Sequence, residues 1–289
     1  MTETKTSSTP KAASKGGAER AANNSRRPIA AGKGKPVQRA PHRGNVDDAI
    51  NKALKGRVNV TPVKAVEMAG QLYARGQFAE AARVCQQIID SRPGLADPHN
   101  ILGVTLAAMG RTEPVIAALK RAVKINPQAS SYHANLGEVL RQAGKTDEAR
   151  EALQAALRLD GNNAQALNNL GIIRYEQRKY EEAVELYRSA LKNRPNMAEA
   201  LNTLGKALRM TGDIDGAIQA YQEALTIREH YPEAYNNVGT LLQQDRKFEE
   251  AEHALKKAIQ QNPRYVEAHN NLAQLYSGQK KEVDALRIL

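Results

Sequence analysis

Small and apolar residues recur along this chain with a period of 34 residues. The clearest markers are pairs of an apolar residue followed by Gly or Ala, at Met68-Ala69, Leu102-Gly103, Leu136-Gly137, Leu170-Gly171, Leu204-Gly205, Val238-Gly239 and Leu272-Ala273. Counted from Pro62, six units fill residues 62–265 without an insertion, and a seventh begins at Val266. Self-similarity at a fixed period of this length indicates a repeat architecture.

Each unit is predicted to form two helices. Unit positions 4, 7, 8 and 11 fall on one face of a 3.6-residue period, as Leu136, Gly137 and Leu140 do in the third unit. A short turn such as 144–146 separates this helix from a second one, which continues until a residue such as Pro195 ends it. Small residues at positions 8, 20 and 27 let the helices approach closely, and larger residues at position 24 fill the space between them.

This pattern resembles the tetratricopeptide repeat family. The resemblance covers residues 62–289 and is carried by small-residue positions that recur in phase across the units. It implies an all-α fold, a right-handed superhelical solenoid of antiparallel helix pairs whose first helices line a concave groove. Arrays of this family usually bind peptides or partner proteins and catalyse nothing themselves, so the resemblance implies a polypeptide partner in the groove and no cofactor.

Charge divides the chain into a basic tail and a nearly balanced body. The formal net charge is +11, and residues 1–44 hold ten Lys and Arg against two Glu, so the tail carries +8 and the rest +3. The tail has no aromatic residue and is rich in small and polar residues, so it cannot bury enough apolar area to offset its ordering entropy. We expect it to be disordered.

The tail is the one part of the chain that we expect could bind nucleic acid. A cationic segment holds phosphates by charge alone, but this one has no aromatic side chain to stack on bases, so a solvated extension is the favoured interpretation. Residues 45–61 are predicted to form a capping helix and a connector, with Asn45 as the N-cap.

Hydropathy predicts neither a signal peptide nor a membrane span. The longest apolar-rich stretch, 101–110, is too short to cross a bilayer. A single cysteine, Cys85, excludes an intrachain disulfide framework and any multi-cysteine zinc site. We therefore expect a soluble, cytoplasmic protein without a membrane partner.

Asparagine follows the opposite face of the first helices, at unit positions 5 and 6. Position 5 carries Asn100, Asn168, Asn202, Asn236 and Asn270, and position 6 carries Asn135, Asn169, Asn237 and Asn271. Asparagine is a mediocre helix former, so helix propensity does not explain the recurrence. An amide can pair with the N–H and C=O groups of an extended peptide, or it can bridge adjacent repeats or meet water. Both alternatives stay open at position 5, whereas peptide contact is favoured at position 6.

The position-6 asparagines are similar to the ladder in the repeat arm of O-linked N-acetylglucosamine transferases, where it holds substrate backbones. Ile101 and Thr203 interrupt the similarity. The carboxylate clamp of chaperone-binding repeats needs Lys at position 2 and Arg at position 6, and no unit has both. The predicted groove also carries four larger polar residues: Arg141, Tyr175, Lys206 and Arg209. We expect these side chains either to contact acidic or aromatic side chains of a ligand or to be solvated.

The sequence shows no catalytic constellation and no metal-ligand spacing. His99, His133 and His269 all occupy position 4, where they are interpreted as packing residues. Cys85 takes a core position, and there is no P-loop, dinucleotide-binding glycine motif or serine elbow. We therefore predict no catalytic site, metal or cofactor in this chain.

Two functions follow from these observations. The first is a protein-interaction scaffold that binds an extended polypeptide in the concave groove. The alternative is the substrate-recruiting arm of a larger transferase, since the array resembles the arms of bacterial proteins fused to glycosyltransferase or sulfotransferase domains. Residues 266–289 form a truncated seventh unit, whose apolar 283–289 segment needs a cover. We favour a continuation of the chain that packs on this segment, and the alternative is a partner protein or self-association.

Overall fold

The computed structural model describes residues 61–110 and 112–279. Three predictions concern residues outside these ranges: the disordered tail 1–44, the capping helix that starts at Asn45, and the apolar segment 283–289 with its proposed self-association. They stay predictions.

The described residues form thirteen α-helices and no strand, which confirms the predicted all-α class. In chain order the helices are α1 Pro62–Ala74, α2 Phe78–Ser91, α3 Ala96–Ala108, α4 Thr112–Ile125, α5 Ser130–Gln142, α6 Thr146–Leu159, α7 Ala164–Glu176, α8 Tyr180–Asn193, α9 Ala198–Thr211, α10 Ile214–Ile227, α11 Pro232–Gln244, α12 Phe248–Gln261 and α13 Val266–Gly278. The odd-numbered helices begin 34 residues apart and are the first helices of their units.

The first helices of units 1 to 6 pack against the second helix of their own unit, and those of units 2 to 7 pack against the second helix of the unit before. Successive first helices also touch, as α5 and α7 do. The array is therefore built from contacts between neighbouring units, as in other solenoids.

Glycine at position 8 sets the closest approach within a unit. A Cβ atom added at Gly205 would lie 2.6 Å from Cε1 of Tyr221, and one added at Gly171 would lie 2.7 Å from Cε1 of Tyr187. Both tyrosines are 1% exposed, so neither ring has room to retreat. In unit 1, Ala69 takes the place of the position-8 glycine, and the facing residue at position 24 is the small Cys85.

The buried face of the first helices is wider than the predicted positions 4, 7, 8 and 11. Ala166 at position 3 and Ile173 at position 10 are 0% and 1% exposed, because they pack against the preceding unit as well. Position 4 lies at the edge of this face. There the His133 ring donates from Nε2 to the Pro127 carbonyl oxygen (2.9 Å). His99 and His269 make the equivalent bond to the proline six residues before them, so in units 2, 3 and 7 the histidine links the first helix to the preceding turn.

Candidate functional site

A cleft of about 460 Å³ lies among the first helices of units 1 to 4. Its apolar lining consists of Tyr73, Val104, Ala107, Ala108 and Val139, and its polar rim consists of Asn135, Glu138, Gln142 and Gln165. We call this the apolar cleft. Because α1, α3, α5 and α7 all contribute to it, the cleft crosses four consecutive repeats.

Hydrogen bonds hold the rim of the apolar cleft in place. Gln165 donates from Nε2 to Glu138 Oε2 (2.6 Å) and to Asn135 Oδ1 (3.1 Å). Asn135 in turn donates from Nδ2 to Asn100 Oδ1 (2.9 Å). This network joins units 2, 3 and 4, so the polar groups of the rim are already oriented without a ligand.

The two asparagine columns are bonded to each other between repeats. In each pair, Nδ2 at position 6 donates to Oδ1 at position 5 of the preceding unit: Asn135 to Asn100 (2.9 Å), Asn237 to Asn202 (3.0 Å) and Asn271 to Asn236 (2.9 Å). This is the bridging arrangement that the sequence left open. Asn237 and Asn271 are half-buried, and peptide contact at position 6 stays a prediction.

The remaining asparagines have other surroundings. Asn169 is 3% exposed, donates to the Gln165 carbonyl oxygen (3.0 Å) and accepts from Nε of Arg141 (3.2 Å). Asn168 has a buried Oδ1 without a hydrogen-bond partner, and Asn270 is exposed. The structure therefore separates these nine amides into bridging, buried and exposed groups, a distinction that their shared positions did not reveal.

The four larger polar residues predicted for the groove also differ from one another. Arg141 pairs with Glu176, at 3.6 Å between Nη1 and Oε1, and Tyr175 packs edge-on against Tyr180 with 5.3 Å between ring centroids. Lys206 and Arg209 are half-buried on α9. Neither makes an ion pair with another residue in the described part of the chain.

The described residues give no indication of a reactive thiol, a metal site or a membrane-spanning helix. The Cys85 side chain is fully buried, and burial raises the pKa of its thiol to about 12, so it is a packing residue and not a thiolate. Within 61–110 and 112–279, no group of three His, Cys, Asp or Glu side chains could hold a metal ion. None of the described helices is both long and apolar enough to cross a membrane.

Sequence reasoning missed the apolar cleft and the role of Gln165. The signal was present, since Val104 and Glu138 occupy position 9 and Ala108 and Gln142 occupy position 13, on the same face of the first helices as position 5. An apolar floor made of unlike residues does not repeat from unit to unit.

Helix pairs at a 34-residue period, with a cleft among their first helices, define a tetratricopeptide-repeat array. The sequence model of the cilia and flagella-associated protein 70 C-terminal domain matches residues 42–275, so the chain belongs to this family. Arrays with this fold are typically non-catalytic interaction modules.

Two solved structures show the same fold at low identity. The APC/C hetero-tetramer Cut9–Hcn1 matches with a TM-score of 0.73 and 18% identity, over 80% of this chain and 45% of that one. PilF of Pseudomonas aeruginosa matches with a TM-score of 0.59 and 24% identity, over 66% of this chain and 86% of that one. The chain thus spans less than half the length of the first structure. No curated protein matches it, and these findings do not support the predicted relation to a glycosyltransferase or sulfotransferase arm.

Proposed function

We propose that this protein is a binding scaffold that holds an extended polypeptide in its concave groove, with apolar side chains of the ligand in the apolar cleft. The observation that carries the proposal is the cleft itself, which has about 460 Å³ of volume and a lining drawn from four consecutive first helices. A site that crosses repeats suits a ligand that is longer than one repeat.

The lining of the cleft matches the two kinds of group that every polypeptide offers. Val104, Ala107 and Val139 supply apolar surface for a side chain, whose burial is favourable at about 25 cal/mol per Å². Asn135 and Gln165 supply amide groups at the rim for a peptide backbone. Because hydrogen bonds already fix these amides, little side-chain freedom is lost when a ligand binds.

Filling the cleft tests this proposal. Ala108 is exposed at the end of α3 and lines the cleft, so Ala108→Trp places a large ring there without disturbing the core. The probes are peptides selected on the full chain from a random dodecapeptide display library and then synthesised. We expect Ala108→Trp to weaken their binding about tenfold or more, measured by fluorescence anisotropy.

Ala79→Trp is the matched control, because Ala79 is equally exposed but lies on the second helix of unit 1, outside the cleft lining. It should change affinity by less than about twofold, with both variants as helical as the parent by circular dichroism. Selected peptides that bind Ala108→Trp as tightly as the parent would overturn the proposal. So would a selection that yields no binding peptide.

A further inference from the structure

Two cations on the groove face of α9 form no ion pair within the described residues. Lys206 and Arg209 are three residues apart, so they lie on the same face of the helix, and both are half-buried. Other half-buried arginines nearby are compensated, since Arg141 pairs with Glu176 (3.6 Å) and Arg174 with Glu182 (3.0 Å).

The environment of Lys206 is unfavourable for its charge. Burial lowers the pKa of its ammonium group; Glu233 opposes that effect and the like charge of Arg209 adds to it. Glu233 forms no ion pair with either cation within the part of the chain that the structure describes. Partly desolvated, adjacent like charges destabilise the free protein, and an anion placed between them would relieve that cost.

Two tyrosines pack in the core beside the same stretch of α9. Tyr187 and Tyr221 are almost fully buried, and burial raises the pKa of both phenols, so both are neutral at physiological pH. Arg209 lies near enough to Tyr221 to oppose that rise, and Tyr175 acts electrostatically on both phenols. We call the pair Lys206 and Arg209 the central section.

We propose that the central section binds a carboxylate side chain, Asp or Glu, of the polypeptide that occupies the groove. The inference rests on the proposed function and adds the chemistry of the ligand. A monoanion suits the local charge, because Lys206 and Arg209 together carry two positive charges and Glu233 is close enough to offset part of them. The apolar cleft, in contrast, has Glu138 as the one charged residue in its lining.

Selection from the same dodecapeptide library tests the inference, now on three forms of the full chain: the parent, Lys206→Gln/Arg209→Gln, and the control Arg121→Gln/Lys124→Gln. Arg121 and Lys124 are also three residues apart, exposed on α4 and without an ion pair within the described ranges. Both variants therefore remove the same charge. The basic tail is identical in all three forms, so any acidic enrichment that it causes is common to them.

We expect the parent and the control to enrich Asp or Glu at one fixed position of the peptide, and the central-section variant to lose that enrichment. For the best synthetic peptide, replacing this residue by its amide should weaken binding to the parent about tenfold and to Lys206→Gln/Arg209→Gln by less than about twofold. The charge-reversed variant Lys206→Glu/Arg209→Glu should enrich Lys or Arg at that position instead.

An equal preference for acidic peptides in the parent and in Lys206→Gln/Arg209→Gln overturns the inference, as does continued acidic enrichment by the charge-reversed variant. A phosphoserine peptide that binds the parent far more tightly than its Glu counterpart overturns the assignment to a carboxylate. If the selected peptides bind Ala108→Trp more weakly than the parent but show no preference for acidic residues, this inference fails and the proposed function stands. If the selected peptides bind Ala108→Trp as tightly as the parent, the proposed function fails.

Discussion

Two junctions between repeats join the same kinds of helix but differ in one side-chain pair. The first lies between units 5 and 6, and the second lies between units 4 and 5. At the first, Asn237 donates to Asn202 Oδ1 (3.0 Å). At the second, Thr203 takes the place of the donor, and its hydroxyl is within 3.0 Å of both the Glu199 and Ala200 carbonyl oxygens. Asn168 Oδ1 is left buried without a hydrogen-bond partner.

This difference shows that the repeat geometry does not depend on the polar pair. Both junctions keep the buried alanine and leucine contacts that hold adjacent units together, while one of them tolerates an unpaired acceptor that costs about 1–3 kcal/mol. Thr203, which replaces the amide donor at the second junction, lies about one helical turn before Lys206 on α9. The interruption of the amide pattern therefore coincides with the part of the groove where Lys206 and Arg209 form no ion pair within the described residues.

Removing the acceptor at each junction gives the largest expected difference. Asn202→Ala should lower the free energy of unfolding by about 1–3 kcal/mol, because Asn202 is 4% exposed and its loss leaves the Asn237 donor unpaired. Asn168→Ala should instead raise it, by up to about 1–3 kcal/mol, because the substitution removes a buried carbonyl oxygen that has no hydrogen bond. Urea unfolding followed by circular dichroism measures both values, and equal losses would contradict the comparison.

Restoring the pair gives a smaller effect in the opposite direction. Thr203→Asn supplies the donor found at the junctions between units 2 and 3, 5 and 6, and 6 and 7, so we expect an increase of about 0.5–1.5 kcal/mol in the free energy of unfolding. The same substitution in an Asn168→Ala background should bring no increase, because the new donor then has no acceptor. A gain of the same size in both backgrounds would show that helix propensity, and not the amide pair, is responsible.

The junction between units 3 and 4 provides the smallest test. Ala134 occupies position 5 there, so no amide pair forms, and Arg141 adds contacts to Asn169 (3.2 Å) and Glu176 (3.6 Å) beside the Gln165 network. The Glu176 side chain is 53% exposed, so Glu176→Gln should lower the free energy of unfolding by about 0.5 kcal/mol or less. The difference should disappear at high salt. A loss above about 1 kcal/mol, unchanged by salt, would show that the exposed ion pair matters more than the amide link.

Much of the fold could be predicted from the sequence, because a helix boundary and a buried face depend on residues close together in the chain. The 34-residue period predicted the repeat array, and Gly171 and Gly205 marked the points where helices meet most closely. The predicted buried face was too narrow, since Ala166 and Ile173 are covered by the preceding unit as well. A pattern within one helix does not show what a neighbouring unit will cover.

The site was less predictable, and the reason is geometric. Asn135 and Asn100 are 35 residues apart, and whether they share a hydrogen bond depends on the placement of two helices to within a few tenths of an ångström. Sequence alone determined the period, the helix pairs and the columns of polar residues. Only the tertiary structure decided which amides bridge the repeats, where unlike residues form the apolar cleft, and that Lys206 and Arg209 have no ion-pair partner among the described residues. Local periodicity fixes backbone elements, whereas a binding surface depends on distances between side chains that are remote in the chain.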